Sequence, residues 1–189
     1  MATINMVLCG LGGQGILFMT RVLAQAALDK GFDIMGAETH GMAQRGGSVV
    51  SHLRLGEGFG SLVRTSSAHF LFALEESEAY RNLSFLAPES RLYVNTDARP
   101  FPREEVKAYL EKKNVLHRAF PAGRMAQDMG APMSSNLALL GFFSAFGEGP
   151  ISQDDLRGTI EKISPVRFRD KNLVIFDAGL ERGLKERDG

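Results

Sequence analysis

Residues 4–9 are a short apolar run that stops at Gly10-Leu11-Gly12-Gly13-Gln14-Gly15, and apolar residues then recur at helical spacing over 16–30 before Gly31. The order is strand, glycine turn, helix. A strand that feeds directly into a helix does not fold back as a hairpin, so the chain is directed early toward a sheet covered by helices. Glycine usage is concentrated in the same region: 12 of the 21 glycines lie in residues 1–60, against an average usage of about 7%. Close backbone approach is therefore a property of this third of the chain.

Alternation continues beyond the first helix. Residues 32–37 read as a second strand, 38–47 as a polar glycine-rich loop, and 48–55 as a third strand with Val49, Leu53 and Leu55 on one face. Residues 68–74 are another apolar run, and Glu75-Glu76-Ser77-Glu78 suits the positive end of a helix reaching about residue 86. A strand over 91–95, an exposed helix over 103–113 entered from Pro100 and Pro102, and a strand over 115–120 follow. After Pro121 the pattern turns helical: a short helix over 122–129, then an apolar one over 137–146 capped by Ser134-Ser135-Asn136. Residues 152–163 form an amphipathic helix with Ser152 as cap and Asp154-Asp155 in its first turn. Leu173-Val174-Ile175-Phe176 reads as a strand in isolation, but the charged stretch 168–187 around it is assigned to helix. The expected fold class is α/β, a Rossmann-like mostly parallel sheet with flanking helices and a helical C-terminal third. No repeat or linker divides the chain, and 1–189 is expected to be a single domain.

Gly10, Gly12 and Gly15 have the G-x-G-x-x-G spacing, between a strand and a helix, where it has mechanical meaning. Amides at the start of such a helix can hold an anion. A dinucleotide site also needs an acid roughly 20 residues on, at the end of the second strand. Asp33 stands at that strand's beginning and Glu38 lies late, which weakens a nicotinamide reading. The alternative is that the glycines let the first helix pack tightly, with Gln14 pairing to backbone or to another chain; both readings stay open.

The second loop, from Glu38 to Ser48, is expected at the same edge of the sheet, so that two glycine loops converge on one crevice. Arg45 carries a planar donor fork suited to carboxylate or phosphate, and Gly46-Gly47 admits close approach. The plainer reading pairs Arg45 with Glu38. Candidate binding residues are thus Gly10, Gly12, Gly13, Gln14, Gly15, Arg45, Gly46 and Gly47. His40, His52, His69 and His117 lack partners at catalytic spacing, Cys9 and the serines lack a nucleophile context, and no catalytic residue is assigned. Phe142, Phe143 and Phe146 read as core or subunit interface, and their apolar segment offers the isolated chain a route to self-association.

Lys plus Arg (22) balances Asp plus Glu (22), which argues against a broad surface for nucleic acid or anionic lipid. The single cysteine excludes an internal disulfide, and no Cys/His spacing builds a metal site. Without a signal-like start or a run of about 18 apolar residues, the default expectation is a cytoplasmic protein.

Together the loops Gly10-Leu11-Gly12-Gly13-Gln14-Gly15 and Gly41-Met42-Ala43-Gln44-Arg45-Gly46-Gly47 resemble those of the gamma subunit or gamma domain of 2-oxoacid:ferredoxin oxidoreductases. Ser48-Val49-Val50-Ser51-His52-Leu53-Arg54, Phe120-Pro121-Ala122 and residues 136–141 extend the resemblance over most of the chain, which is most similar to the separately encoded small (beta) subunit of the indolepyruvate-oxidising type. The resemblance implies a subunit of an enzyme that converts a 2-oxoacid to an acyl-CoA with thiamine diphosphate, passing electrons through iron–sulfur clusters to ferredoxin. This chain has neither a Gly-Asp-Gly thiamine motif nor cluster cysteines. The implied arrangement is a large partner subunit holding both cofactors, with this chain shaping the active-site approach and helping to bind coenzyme A. A free-standing Rossmann-type nucleotide-binding module is the competing expectation.

Overall fold

The computed structural model describes residues 3–41 and 46–189. Strand β1 (Ile4–Leu11) leads through the glycine turn into α1 (Ile16–Asp29), followed by β2 (Ile34–His40), β3 (Ser48–Leu55) and β4 (Ala68–Ala73). Then come α2 (Glu76–Asn82), β5 (Leu86–Asn95), α3 (Glu104–Lys112), β6 (Leu116–Phe120), α4 (Ala122–Asp128), α5 (Ser135–Ser144), α6 (Gln153–Ile163) and α7 (Val166–Asp188). The strands form one sheet in the order β2-β3-β1-β4-β5-β6. β1, β4, β5 and β6 pair in parallel, while β3 is antiparallel to both β1 and β2, so only β3 runs against the rest. The expected α/β, mostly parallel, Rossmann-like sheet with a helical C-terminal third is the observed fold.

Strand alternation divides the apolar residues between two cores. Met6, Leu8, Phe70, Phe72 and Tyr93 face α1, α5, α6 and α7, whereas Val7, Cys9, Leu71, Ala73, Leu92 and Val94 face α2 and α3. Helices on both faces bury the central residues of β1 and β4, Met6–Gly10 and Phe70–Ala73, on both sides, which explains their apolar runs. The chain leaves β1 toward β2 through α1 on one face and leaves β4 toward β5 through α2 on the other. The carboxyl ends of β1 and β4 therefore flank the switch point where such sheets bind ligands.

Several boundaries differ from the sequence expectation for identifiable reasons. β2 extends to His40, because Glu38, Thr39 and His40 pair with Ser51, Val50 and Val49; an edge strand with exposed side chains tolerates polar residues that periodicity assigns to a loop. The helix expected up to residue 86 ends at Asn82, a 3-10 turn spans Leu83–Phe85, and β5 starts at Leu86 rather than 91. Ser134 occupies the N-cap of α5 without a side-chain capping bond, and Asn136, expected in the cap, lies inside the helix with its amide donating to the Gly15 carbonyl at 3.0 Å. Ser152 does cap α6, in a reciprocal box with Asp155. All ten residues of α5 are buried, so this segment is spent in the core and does not offer a surface for self-association.

Candidate functional site

At the carboxyl end of β1 the backbone turns at Gly12-Gly13 and enters α1 through Gly15, whose φ of 82° lies in the left-handed region that disfavours a side chain. Gly15 caps α1 with no side-chain bond, and no acid occupies the first turn. Among the described residues no side-chain cap and no first-turn acid meets the amides at the helix start and the positive end of its dipole. Gln14 is committed to the turn itself: its Oε1 accepts from the Leu11 N–H at 2.7 Å and its Nε2 donates to Glu75 at 3.4 Å. Gly10 gives Gln14 the room to do so, because a Cβ there would stand 2.7 Å from that Oε1.

The two glycine loops converge as expected. The Gly12 N–H donates to the Gly47 carbonyl at 2.9 Å, and the Gly41 N–H to the Ser48 carbonyl at 2.7 Å, which closes the base of the second loop. Gly46 has a φ of 69°. Arg45 lies outside the described residues, as do Met42, Ala43 and Gln44. Gly12 stands apart from its neighbours: its φ is not left-handed, it is exposed, and a Cβ would meet nothing nearer than 3.6 Å. Among the described residues neither packing nor conformation requires glycine there. Beside it lies a cleft of about 440 Å³ lined by Leu11, Ile16, Leu17, Phe18, His40 and Val49 with the glycines of the turn.

The dinucleotide reading meets a topological obstacle. In a nucleotide-binding sheet the acid-bearing second strand lies next to the first, whereas here β3 separates β1 from β2. Glu38 is thereby carried two strand spacings from the glycine turn, roughly 10 Å, and is exposed. On the other side of the switch point, Glu75, Glu76, Asn95, Thr96, Asp97 and Arg124 line a smaller cleft of about 280 Å³. Thr96 donates to Glu76, and Arg124 lies 3.4 Å from Asp97, so its polar groups largely satisfy one another.

Cys9 is buried beneath this end of the sheet, and burial, helped by the Glu78 charge, pushes its thiol far above the ordinary value. It is neither a nucleophile nor a thiolate ligand at neutral pH. Among the described residues no three His, Cys, Asp or Glu side chains group as a metal site. Two histidines have structural surroundings: His52 is buried edge-on against Phe85 with its pKa lowered by desolvation, and His69 accepts the Asn5 N–H. One residue of the site escaped sequence reasoning. Glu78, read as a helix-start acid, has its side chain buried and accepts from Ser48 Oγ at 2.6 Å; only the register of α2 against β3 places it there.

Comparison with known proteins decides the family: residues 5–182 match the family model described as pyruvate ferredoxin/flavodoxin oxidoreductase. The chain belongs to this family. It is 34% identical over 186 residues, covering 93% of this chain and 95% of the relative, to indolepyruvate oxidoreductase subunit IorB of Methanothermobacter thermautotrophicus. Among solved structures, the gamma subunit of a keto/oxoacid ferredoxin oxidoreductase from Geobacter sulfurreducens superposes with a TM-score of 0.76 at 22% identity, covering 96% of this chain and 99% of that one. A 2-oxoglutarate:ferredoxin oxidoreductase from Magnetococcus marinus, solved with 2-oxoglutarate, coenzyme A and succinyl-CoA, gives a TM-score of 0.74 at 18% identity, covering 98% of this chain but 31% of that one. The fold of this oxidoreductase-family chain thus occurs both as a separate subunit and within a longer polypeptide.

Proposed function

We propose that this chain, acting as one gamma-type unit over 1–189, is the small subunit of a cytoplasmic heteromeric 2-oxoacid:ferredoxin oxidoreductase. The likeness along nearly its whole length to a subunit of indolepyruvate oxidoreductase carries this reading. The substrate class is an aryl pyruvate such as indolepyruvate. The 2-oxoacid loses its carboxylate as CO₂, its acyl carbon passes to the sulfur of coenzyme A, and the electrons released pass to ferredoxin. Thiamine diphosphate and the iron–sulfur clusters belong to a larger partner, because this chain has no Gly-Asp-Gly thiamine motif and its lone thiol is buried and held protonated, a poor fit to any cluster.

This chain's own contribution is to shape the approach to the reacting centre and to hold an anionic part of coenzyme A. A phosphate at the start of α1 would meet the uncapped amides beyond Gly12 and the dipole of a helix with no acid in its first turn. Gly10, Gly13, Gln14 and Gly15 set the turn, Gly46 and Gly47 bring the second loop against it, and Arg45 supplies the guanidinium fork. The exposed Leu17 beside the cleft favours a second reading, in which the same loops dock the large subunit.

Affinity purification with oxygen excluded tests the assignment. Recovery of a large cysteine-rich partner carrying thiamine diphosphate is expected, and recovery of the chain alone with a bound nucleotide would overturn it. An Arg45→Ala complex then separates the two loop readings. Weaker coenzyme A affinity in an intact complex supports the phosphate site, whereas weaker assembly with unchanged affinity supports docking.

A further inference from the structure

We infer that Glu78 and Ser48 form a latch that fixes the end of the second glycine loop, Gly46–Ser48, against the first loop, making both positioning residues for whatever group binds there. A buried carboxylate is unfavourable unless paired. The Glu78 side chain is 1% exposed, and its Oε1 accepts from Arg81 Nη1 at 2.8 Å. That pair alone does not account for the burial, since Arg81 lies three residues on along the same helix with its side chain 69% exposed, where the two would meet equally well in water. Helix-dipole stabilisation does not account for it either, because Glu76 already serves that end of α2 from a less buried position. What the inward position adds is the second oxygen's bond to Ser48.

Ser48 is the point from which the second loop can be controlled. It is the first residue of β3 and follows Gly47 directly. Its carbonyl takes the Gly41 N–H, and the adjacent Gly47 carbonyl takes the Gly12 N–H. A chain of bonds therefore runs from Glu78 through Ser48 and Gly47 to Gly12, at the entrance to α1. It starts on α2, on one face of the sheet, passes through the first residue of β3, and ends beside the carboxyl end of β1 at the entrance to α1, on the other face. The α2 end is itself held in place, since the Glu78 carbonyl accepts from Asn82 Nδ2 at 2.8 Å and from the Cys9 thiol at 3.5 Å. With the carboxylate charged, the serine bond is of the stronger, charge-assisted kind.

The test compares Ser48→Ala, Ser48→Thr and Glu78→Gln, each co-expressed with the large subunit. Amide hydrogen exchange reads the loops, and initial rates read KM for coenzyme A against kcat. Loss of one charge-assisted bond should speed exchange over residues 12–15 and 46–50 about tenfold in Ser48→Ala, with a smaller effect in Glu78→Gln and near-native exchange in Ser48→Thr, which keeps the hydroxyl. The kinetic readout rests on the coenzyme A reading above, which predicts a KM for coenzyme A raised about fivefold to tenfold with kcat within about twofold. Faster exchange with an unchanged KM supports the latch and overturns the coenzyme A assignment. Native exchange in both Ser48→Ala and Glu78→Gln overturns the latch, whatever the kinetics.

Discussion

Helices α5 and α7 meet backbone to backbone, and Gly141→Ala probes that contact. A Cβ on Gly141 would lie 2.0 Å from the Phe176 carbonyl oxygen and 2.9 Å from the Leu180 nitrogen. Real Cβ atoms essentially never come within 3.0 Å of such atoms, so the helices must part by about 1.0 Å. Neither side has a rotamer with which to yield. A gap of 0.5–1 Å forfeits roughly a quarter to a half of each contact's attraction, and the side chains loosened include the buried Ile175 and Phe176. Overpacking of backbone against backbone costs about 3 kcal/mol, the top of the usual range, offset by about 1 kcal/mol of helix propensity gained on replacing glycine. The net loss of about 2 kcal/mol corresponds to a Tm lower by roughly 4–8 °C for a chain of this size. Gly158→Ala supplies the internal control: Gly158 lies within α6 and a Cβ there meets nothing within 4 Å, so the same substitution should raise stability by about 0.5–1 kcal/mol. Thermal unfolding followed by circular dichroism reads both. A Gly141→Ala protein as stable as the parent, with Gly158→Ala behaving as stated, would refute the close-contact argument.

Acid titration should weaken the tie between α1 and α6, because the Lys30 ammonium 2.8 Å away and then Ser152 hold the Asp155 carboxyl at about 2. A depressed folded-state value stabilises above the ordinary 3.8 and loses that contribution as pH falls toward 2; Asp155→Asn should flatten the pH dependence there and cost about 1 kcal/mol at neutral pH after solvent screening. Glu148→Ala leaves Arg118, at 17% side-chain exposure, without its 2.9 Å partner and should lower stability by about 2–3 kcal/mol in denaturant titration, with Arg118→Ala partly non-additive in the double variant. Cys9, buried and held protonated, should resist a thiol reagent in the native protein and react stoichiometrically in denaturant. Rapid labelling of the native state would show that the sheet opens far more readily than its packing implies.

The parts of the fold visible in sequence are those set by local periodicity and by the sheet's two covered faces. β1 and β4 read as apolar runs, broken only by Asn5 and His69, because helices cover both sides; α5 reads as core because every side chain in it is buried, and Ser152 with Asp155 reads as a cap because the box is closed within four residues. What was missed depends on partners distant in sequence. β2 gains His40 only because Val49 across the edge pair extends the ladder. Asn136, expected in the cap, lies inside α5 and donates to the carbonyl of Gly15, 121 residues earlier. Glu78 lies in an acidic run that is fully explained by a helix dipole until Ser48 is placed beside it.

The same distinction explains why the glycine fingerprint carries less than its spacing promises. G-x-G-x-x-G encodes a strand, a tight turn and a helix start, and all three are present; it does not encode which strand comes to lie beside β1. In this chain the neighbour is β3, running the other way, and its amino end brings Gly47 rather than an acid against the turn. An antiparallel strand delivers the residues before it to the edge where a parallel one delivers the residues after it, so its insertion exchanges a ribose-binding carboxylate for a second glycine loop. The first loop keeps its glycine turn and helix start while the feature that would select a dinucleotide is displaced across a strand. The fingerprint therefore guarantees the turn and the helix start alone, and the order and direction of the neighbouring strands decide which residues face them.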